Sequence, residues 1–191
     1  MLKQVQHDWI INLNYQVSLL NNIATYLLSK KESRLGLTKV TKQFFSWNKI
    51  SKIVIIAYDN QLSELIEFIN ACKKDNITVQ VAIIYAGKPE QASNPSFEHI
   101  ILDKKKFSLF QLPTDEALNQ VTTTTYDVLI NLGNSDQFQA LALSKLMTAK
   151  CKIARYQNAN FEITIDSNKT TKISDYLNQV VVYLNMINTT N

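Results

Sequence analysis

The run YDVLINLGNSDQFQALALSKLMTAKCKIARY, residues 126–156, constrains this chain most, because it spells out one complete β-α-β unit. Val128-Leu129-Ile130-Asn131-Leu132 carries no charge and is rich in strand formers, which suits a strand covered on both faces. Gly133-Asn134-Ser135-Asp136 breaks the run. Glycine and asparagine tolerate left-handed backbone, and Ser135 or Asp136 can cap a following helix. Phe138, Leu141 and Ala142 recur at three- and four-residue steps and predict one buried helical stripe. Met147 to Lys150 closes that helix, and Cys151 to Ala154 returns as a second strand. Strands joined in this way run parallel, and ligands of such sheets sit beyond the strands' carboxyl ends. Asn131, Asn134 and Ser135 are thereby assigned to a candidate rim.

The flanking sequence repeats the grammar. Ile53 to Ala57 is a fully apolar strand ending in Tyr58-Asp59-Asn60. Leu62, Leu65, Ile66, Ile69 and Cys72 follow as a helix closed by Lys73 and Lys74, where the helix dipole favours cations. Thr78 to Tyr85 reads as a strand, 86–96 as a loop and Phe97 to Leu102 as a further strand. Pro113-Thr114-Asp115 opens a short helix. Phe161 to Asp166 gives a short edge strand, and Ile173, Tyr176, Leu177, Val180 and Leu184 a long closing helix. The expected fold is α/β: a Rossmann-like three-layer sandwich with a mostly parallel sheet of about five strands and flanking helices. An N-terminal helix and basic connector (1–49) precede the α/β unit (50–191). The chain's 191 residues, 46% hydrophobic and 19% charged, are enough for one buried core and too apolar for disorder. Three glycines leave no room for a glycine-rich phosphate loop.

Residues 4–29 form a helical candidate with Val5, Trp9, Leu13, Val17, Leu20, Ile23, Ala24 and Leu27 on one side. From Trp9 to Ser29 it carries no charge, yet Asn12, Asn14, Gln16, Asn21 and Asn22 argue against a membrane span, since buried amides need partners in lipid. No signal-peptide pattern opens the chain, so the expected location is cytoplasmic. Packing on the domain, on another protein, or on a second copy is the expected use of the helix. Between Lys30 and Lys52 seven basic residues stand against one acid, Glu32, which leaves that segment at +6 and the remainder of a +4 chain at −2. Lys30, Lys31, Arg34, Lys39 and Lys42 form a candidate interaction surface. Phe44, Phe45 and Trp47 lie among the later lysines. The segment reads either as a phosphate-backbone surface with stacking aromatics or as a solvated connector anchored by those aromatics.

At the rim the strand ends offer Asp59, Lys88, Asn131, Asn134, Ser135 and Arg155 as candidate ligand-binding residues. A phospho-acceptor receiver would need an acidic cluster, and Asp59 is the sole acid at these ends. The first strand is not followed by the glycine of a dinucleotide fingerprint, and Gly87-Lys88 is not a phosphate loop. Ser135 lacks a nucleophile elbow, His7 and His99 lack nucleophile neighbours, and two histidines with two distant cysteines make no zinc pattern. Cys72 and Cys151 are read as small buried thiols. No catalytic residue, metal or cofactor is assigned.

The stretches Tyr126-Asp127-Val128-Leu129-Ile130-Asn131-Leu132, Ala142-Leu143-Ser144-Lys145, Ala149-Lys150-Cys151-Lys152-Ile153, Phe161-Glu162-Ile163-Thr164-Ile165 and Tyr183-Leu184-Asn185-Met186-Ile187-Asn188 resemble a protein family of the Bacteroidetes built on a domain of unknown function. The resemblance covers residues 50–188 and implies no activity. Against its pattern Asn131 replaces an aspartate and Ala154 a glycine, so any chemistry of that aspartate would be missing here. The same strand-helix-strand phrase is similar to the acceptor-side half of bacterial heptosyltransferases, which implies a shared scaffold without the nucleotide-sugar half. The leading expectation is a non-enzymatic binding or interaction protein. Alternatives are a small-molecule or glycosyltransferase-like enzyme at the rim, and nucleic-acid or ribosome association through residues 30–52.

Overall fold

A computed structural model describes residues 20–36, 40–85, 87, 95–122, 124–166 and 172–187. The first part of the N-terminal helical candidate, with His7 and Trp9, lies outside them. Helix α1 spans residues 20–35 and ends at Gly36, whose φ of +53° is the left-handed conformation that stops a helix. The strands are β1 (Lys52–Tyr58), β2 (Thr78–Ile84), β3 (His99–Leu102), β4 (Tyr126–Asn131), β5 (Ala149–Ala154) and β6 (Ile163–Thr164). The further helices are α2 (Ile66–Lys74), α3 (Asp115–Val121), α4 (Phe138–Leu146) and α5 (Ile173–Met186). Among the described residues no helix is long and apolar enough to cross a membrane.

All six strands are parallel, in the order β3-β2-β1-β4-β5-β6, a Rossmann-like arrangement whose order reverses between β1 and β4. The register puts Ile55 between Val81 and Ile130 at the centre. Side chains alternate across a strand, so Ile53, Ile55 and Ala57 join Phe68 and Ile69 of α2 and Leu177 and Val180 of α5. Val54 and Ile56 face the opposite way, joining Leu118 and Val121 of α3, Leu143 and Leu146 of α4, and Leu28 of α1. Burying each isoleucine-sized side chain contributes roughly 1.5–3 kcal/mol, and the middle strands are apolar on both faces for that reason.

Three local features differ from the sequence reading. The edge strand expected over 161–166 is present as β6, but it shrinks to two residues held to Ile153 and Ala154 of β5. The helix after β1 starts as a 3-10 segment, Asp59–Leu65, because the Gln61 side chain folds back to accept the Tyr58 backbone N–H at 2.9 Å. Helix α4 begins at Phe138 with Gln137 at its N-cap, so neither Ser135 nor Asp136 takes that position. Its buried face is Ala140, Ala142, Leu143, Ser144 and Leu146, with Phe138 and Leu141 only half-buried. Small residues face the sheet because α4 rides close over Gly133, where a Cβ would stand 2.7 Å from that of Ala140. The helix stops early, and the Lys152 ammonium, reaching up from β5, donates to the Ser144 carbonyl at 2.7 Å.

Candidate functional site

The carboxyl edge of the sheet was the expected site, and its donors and acceptors are largely spent on the protein itself. Asn131, fully buried, accepts the Gly133 N–H at 2.7 Å and donates to Ser144 Oγ at 2.9 Å. The Asn134 N–H goes to Gln137 Oε1 at 2.7 Å, and Leu132 N–H to the Ile56 carbonyl at 2.9 Å. Across the β1–β4 junction Gln61 Nε2 donates to the Leu132 carbonyl at 3.2 Å and so staples the two strand ends. Burial pushes the Tyr58 hydroxyl up to about 12, against a hydrogen bond with the Ala140 backbone. Burial likewise raises Tyr156 to about 12, so both phenols stay neutral.

The candidate rim residues divide between faces rather than converging. Asn131 turns toward α4, whereas Arg155, buried at the end of β5, lies over the Tyr176 ring of α5 at 5.4 Å. Asp59 is half-buried in the 3-10 segment, Asn134 is half-buried and Ser135 exposed. Lys88 lies outside the described residues. Among the described residues no three His, Cys, Asp or Glu side chains stand close enough to hold a metal. His99 is a strand residue whose Nδ1 sits 2.8 Å from the Phe97 carbonyl. Cys72 and Cys151 are free and buried, each thiol pushed up to about 12 by burial.

The basic segment splits in a similar way. Phe45 and Trp47 are core residues: Trp47 packs edge-on to Phe68 at 6.0 Å and donates its indole N–H to Asp75 at 2.7 Å. Only Phe44 of the three aromatics is exposed. Lys42 pairs with Glu162 at 2.5 Å, and Lys39 lies outside the described residues. Lys31 and Arg34 reach across to the same carboxylate, Asp115, at 2.7 and 3.0 Å. The Lys31 hydrogen bond and charge, with Arg34 added, lower the Asp115 pKa. Lys31 also donates to the Pro113 carbonyl at 2.7 Å. Lys30 is exposed beside them, and no ion pair engages it among the described residues.

What sequence reasoning missed is the turn these cations face. Residues 107–113 showed no periodicity, because their order comes from hydrogen bonds. Ser108 N–H donates to the Leu112 carbonyl at 2.8 Å and Gln111 N–H to the Ser108 carbonyl at 2.9 Å, while Phe107 and Pro113 form a bridge. Gln111, at φ +59°, reverses the chain. The turn holds Leu109 fully exposed (100%) and leaves Phe110 half-buried against α1. Two cavities flank it. One of about 470 Å³ lies among Leu20, Ala24, Leu109, Phe110 and Phe138. The other, about 350 Å³, lies among Leu27, Lys30, Lys31, Arg34, Phe110 and Leu112. Phe110 lines both, so the two adjoin and are taken together as one groove along α1, mostly apolar beside Leu20, where Asn21, Gln111 and Asp136 also line it, and basic beside Arg34.

No curated protein matches the chain. One family model does, over residues 21–187, a span that holds every strand of the sheet and all of α1 but its first described residue: the chain belongs to a family of unknown function, DUF6913.

Proposed function

We propose that this chain is a non-enzymatic docking module that meets a polypeptide partner along α1 and the 107–113 turn. The observation that carries the reading is Leu109. A single exposed leucine is ordinary on a protein surface. This one is wholly exposed on a turn fixed by its own hydrogen bonds, and it borders a mostly apolar cavity with Leu20, Phe110 and Phe138. An apolar anchor already held in place loses little freedom on binding, which is how a small surface gains affinity.

The two alternatives have less support. A small-molecule or glycosyltransferase-like enzyme at the strand ends would need free donors there, and the Gly133 and Asn134 amides are taken. The heptosyltransferase likeness supports a common scaffold and no more. Nucleic-acid or ribosome association would need uncommitted cations and open rings, whereas Lys31, Arg34 and Lys42 are paired and Phe45 and Trp47 buried. A cytoplasmic setting belongs to the same proposal, supported by two free, buried thiols of the kind reducing compartments preserve.

A photo-crosslinking amino acid placed at Leu109, and separately at Ser135 on the strand-end rim, tests the reading in the source cell. A discrete protein adduct from position 109 and none from 135 is the expected result. An adduct of twice the chain's mass would make the partner a second copy. Adducts from 135 alone would move the function to the rim.

A further inference from the structure

Resting on that reading, we infer that the partner segment is amphipathic and acidic at one end, and that Asp115 occupies the place its carboxylates take. The groove has a polarity. Its start, at Leu20, Leu109 and Phe138, is mostly apolar and also carries Asn21, Gln111 and the acid Asp136, whereas its end carries Lys30, Lys31 and Arg34 over an apolar floor of Leu27 and Leu112. From Leu20 to Arg34 a helix rises about 21 Å, the length of some 14 helical or six to seven extended residues. Lys30, Lys31 and Arg34 stand within about one helical turn and repel one another; Asp115 answers Lys31 and Arg34, while Glu32 of the same turn is taken by Lys145. Arg34 meets both oxygens of Asp115, each at 3.0 Å, the paired geometry in which a guanidinium takes any carboxylate. The side chains of Asp115 and Arg34 are 61% and 64% exposed, so an incoming acidic residue can reach the pair without unpacking the core. Lys30 has no ion pair to give up among the described residues, and Lys31 stays tied to the Pro113 carbonyl when Asp115 leaves. The device is competitive: Asp115 screens the groove from weak acidic segments and yields to those that also fill the apolar end.

A phage-displayed library of random 16-residue peptides, selected on the full chain, tests this. Enriched peptides are expected to carry two or three apolar residues at one end and several Asp or Glu at the other. Against wild type, Leu109→Asp should weaken them about tenfold or more, Lys30→Glu about three- to tenfold, and Asp115→Asn should tighten them about three- to tenfold, in line with the worth of exposed charge pairs and a buried anchor. Lys30→Glu breaks no ion pair among the described residues, so it holds the test even where Asp115→Asn loosens α1, which far-ultraviolet circular dichroism would reveal. Peptides that lose binding with Leu109→Asp but are neutral or basic, and ignore Lys30→Glu and Asp115→Asn, would overturn the acidic partner and leave the groove standing. Peptides indifferent to Leu109→Asp, or no enrichment at all, would overturn the groove itself.

Discussion

Lys152 is 8% exposed and lies under the last turn of α4, where its ammonium meets the Ser144 carbonyl. Burial, with Lys42 adding to it, brings its pKa down from 10.5 to about 8. Between those values the unfolded chain still holds a proton that the folded chain has released, so stability rises with pH across that window. The full effect is about 3 kcal/mol at 1.36 kcal/mol per unit. Other groups titrate nearby, the buried tyrosines among them, so the clean comparison is with Lys152→Met, which carries no proton. Urea melts at pH 7.5, 9 and 10.5 should show wild type gaining on the variant by about 2–3 kcal/mol as pH rises. A difference that stays constant would mean that Lys152 finds compensation in the fold beyond its carbonyl contacts. Asp127 is the opposite case: burial would raise its carboxyl, but hydrogen bonds from Lys150, Ser51 and Lys52 bring it to about 2. It ties the start of β1 to β4 and adds stability that is lost only as pH falls from about 4 to about 2.

At the scale of elements, α1 is the piece most loosely held. Its buried apolar seats are Ala24 and Leu28, with Leu27 half-buried against the same core, and much of the rest of its attachment is electrostatic: Lys31 and Arg34 to Asp115, and Glu32 to Lys145 at 3.0 Å. Pairs of this kind, open to solvent, contribute little and fade as the screening length shrinks to about 3 Å in 1 M salt. Hydrogen exchange should therefore speed up about tenfold across α1 in 1 M sodium chloride, while the central strand residues Ile55 and Ile130 keep their protection. Equal loss in both places would mean that α1 unfolds only with the sheet. The same division explains what the sequence could tell. β1, β2 and β4 were legible because strands buried on both faces are written as predominantly apolar, β-branched stretches, unbroken in Ile53–Ala57 and interrupted by Gln80 in β2 and by Asp127 in β4. β6 was legible as an edge strand over 161–166, but not which two residues pair, since so short a strand carries no period. The true N-cap of α4 was hidden because Gln137 spends its side chain on Asn134 rather than on the helix. The groove was illegible for a different reason: Lys31 and Asp115 are 84 positions apart, and nothing local to either announces the other.

The whole molecule corrects the impression made by local charge. A segment at +6 in sequence suggests a phosphate-binding face, yet the fold sets acids from distant elements against it: Asp115 against Lys31 and Arg34, Glu162 against Lys42. Glu32, inside the segment, is itself taken by Lys145. Affinity for a nucleic-acid backbone follows the number of phosphates that cations can neutralise, and paired cations must first release their acids. The aromatics that would stack on bases, Phe45 and Trp47, are holding the core. A 20-base-pair duplex or a 20-nucleotide single strand should therefore bind no better than about 10⁻⁴ M near physiological salt, the upper end of the non-specific range. Fluorescence anisotropy with labelled oligonucleotides measures it directly. Micromolar binding that weakens steeply with salt, and that collapses on Lys30→Glu, would show that these acids give way more readily to phosphate than exposed pairs should, and would return the basic face to nucleic acid. Binding below that level, together with acidic peptides seated on α1, is what a face whose Lys31, Arg34 and Lys42 are paired over an apolar floor should give.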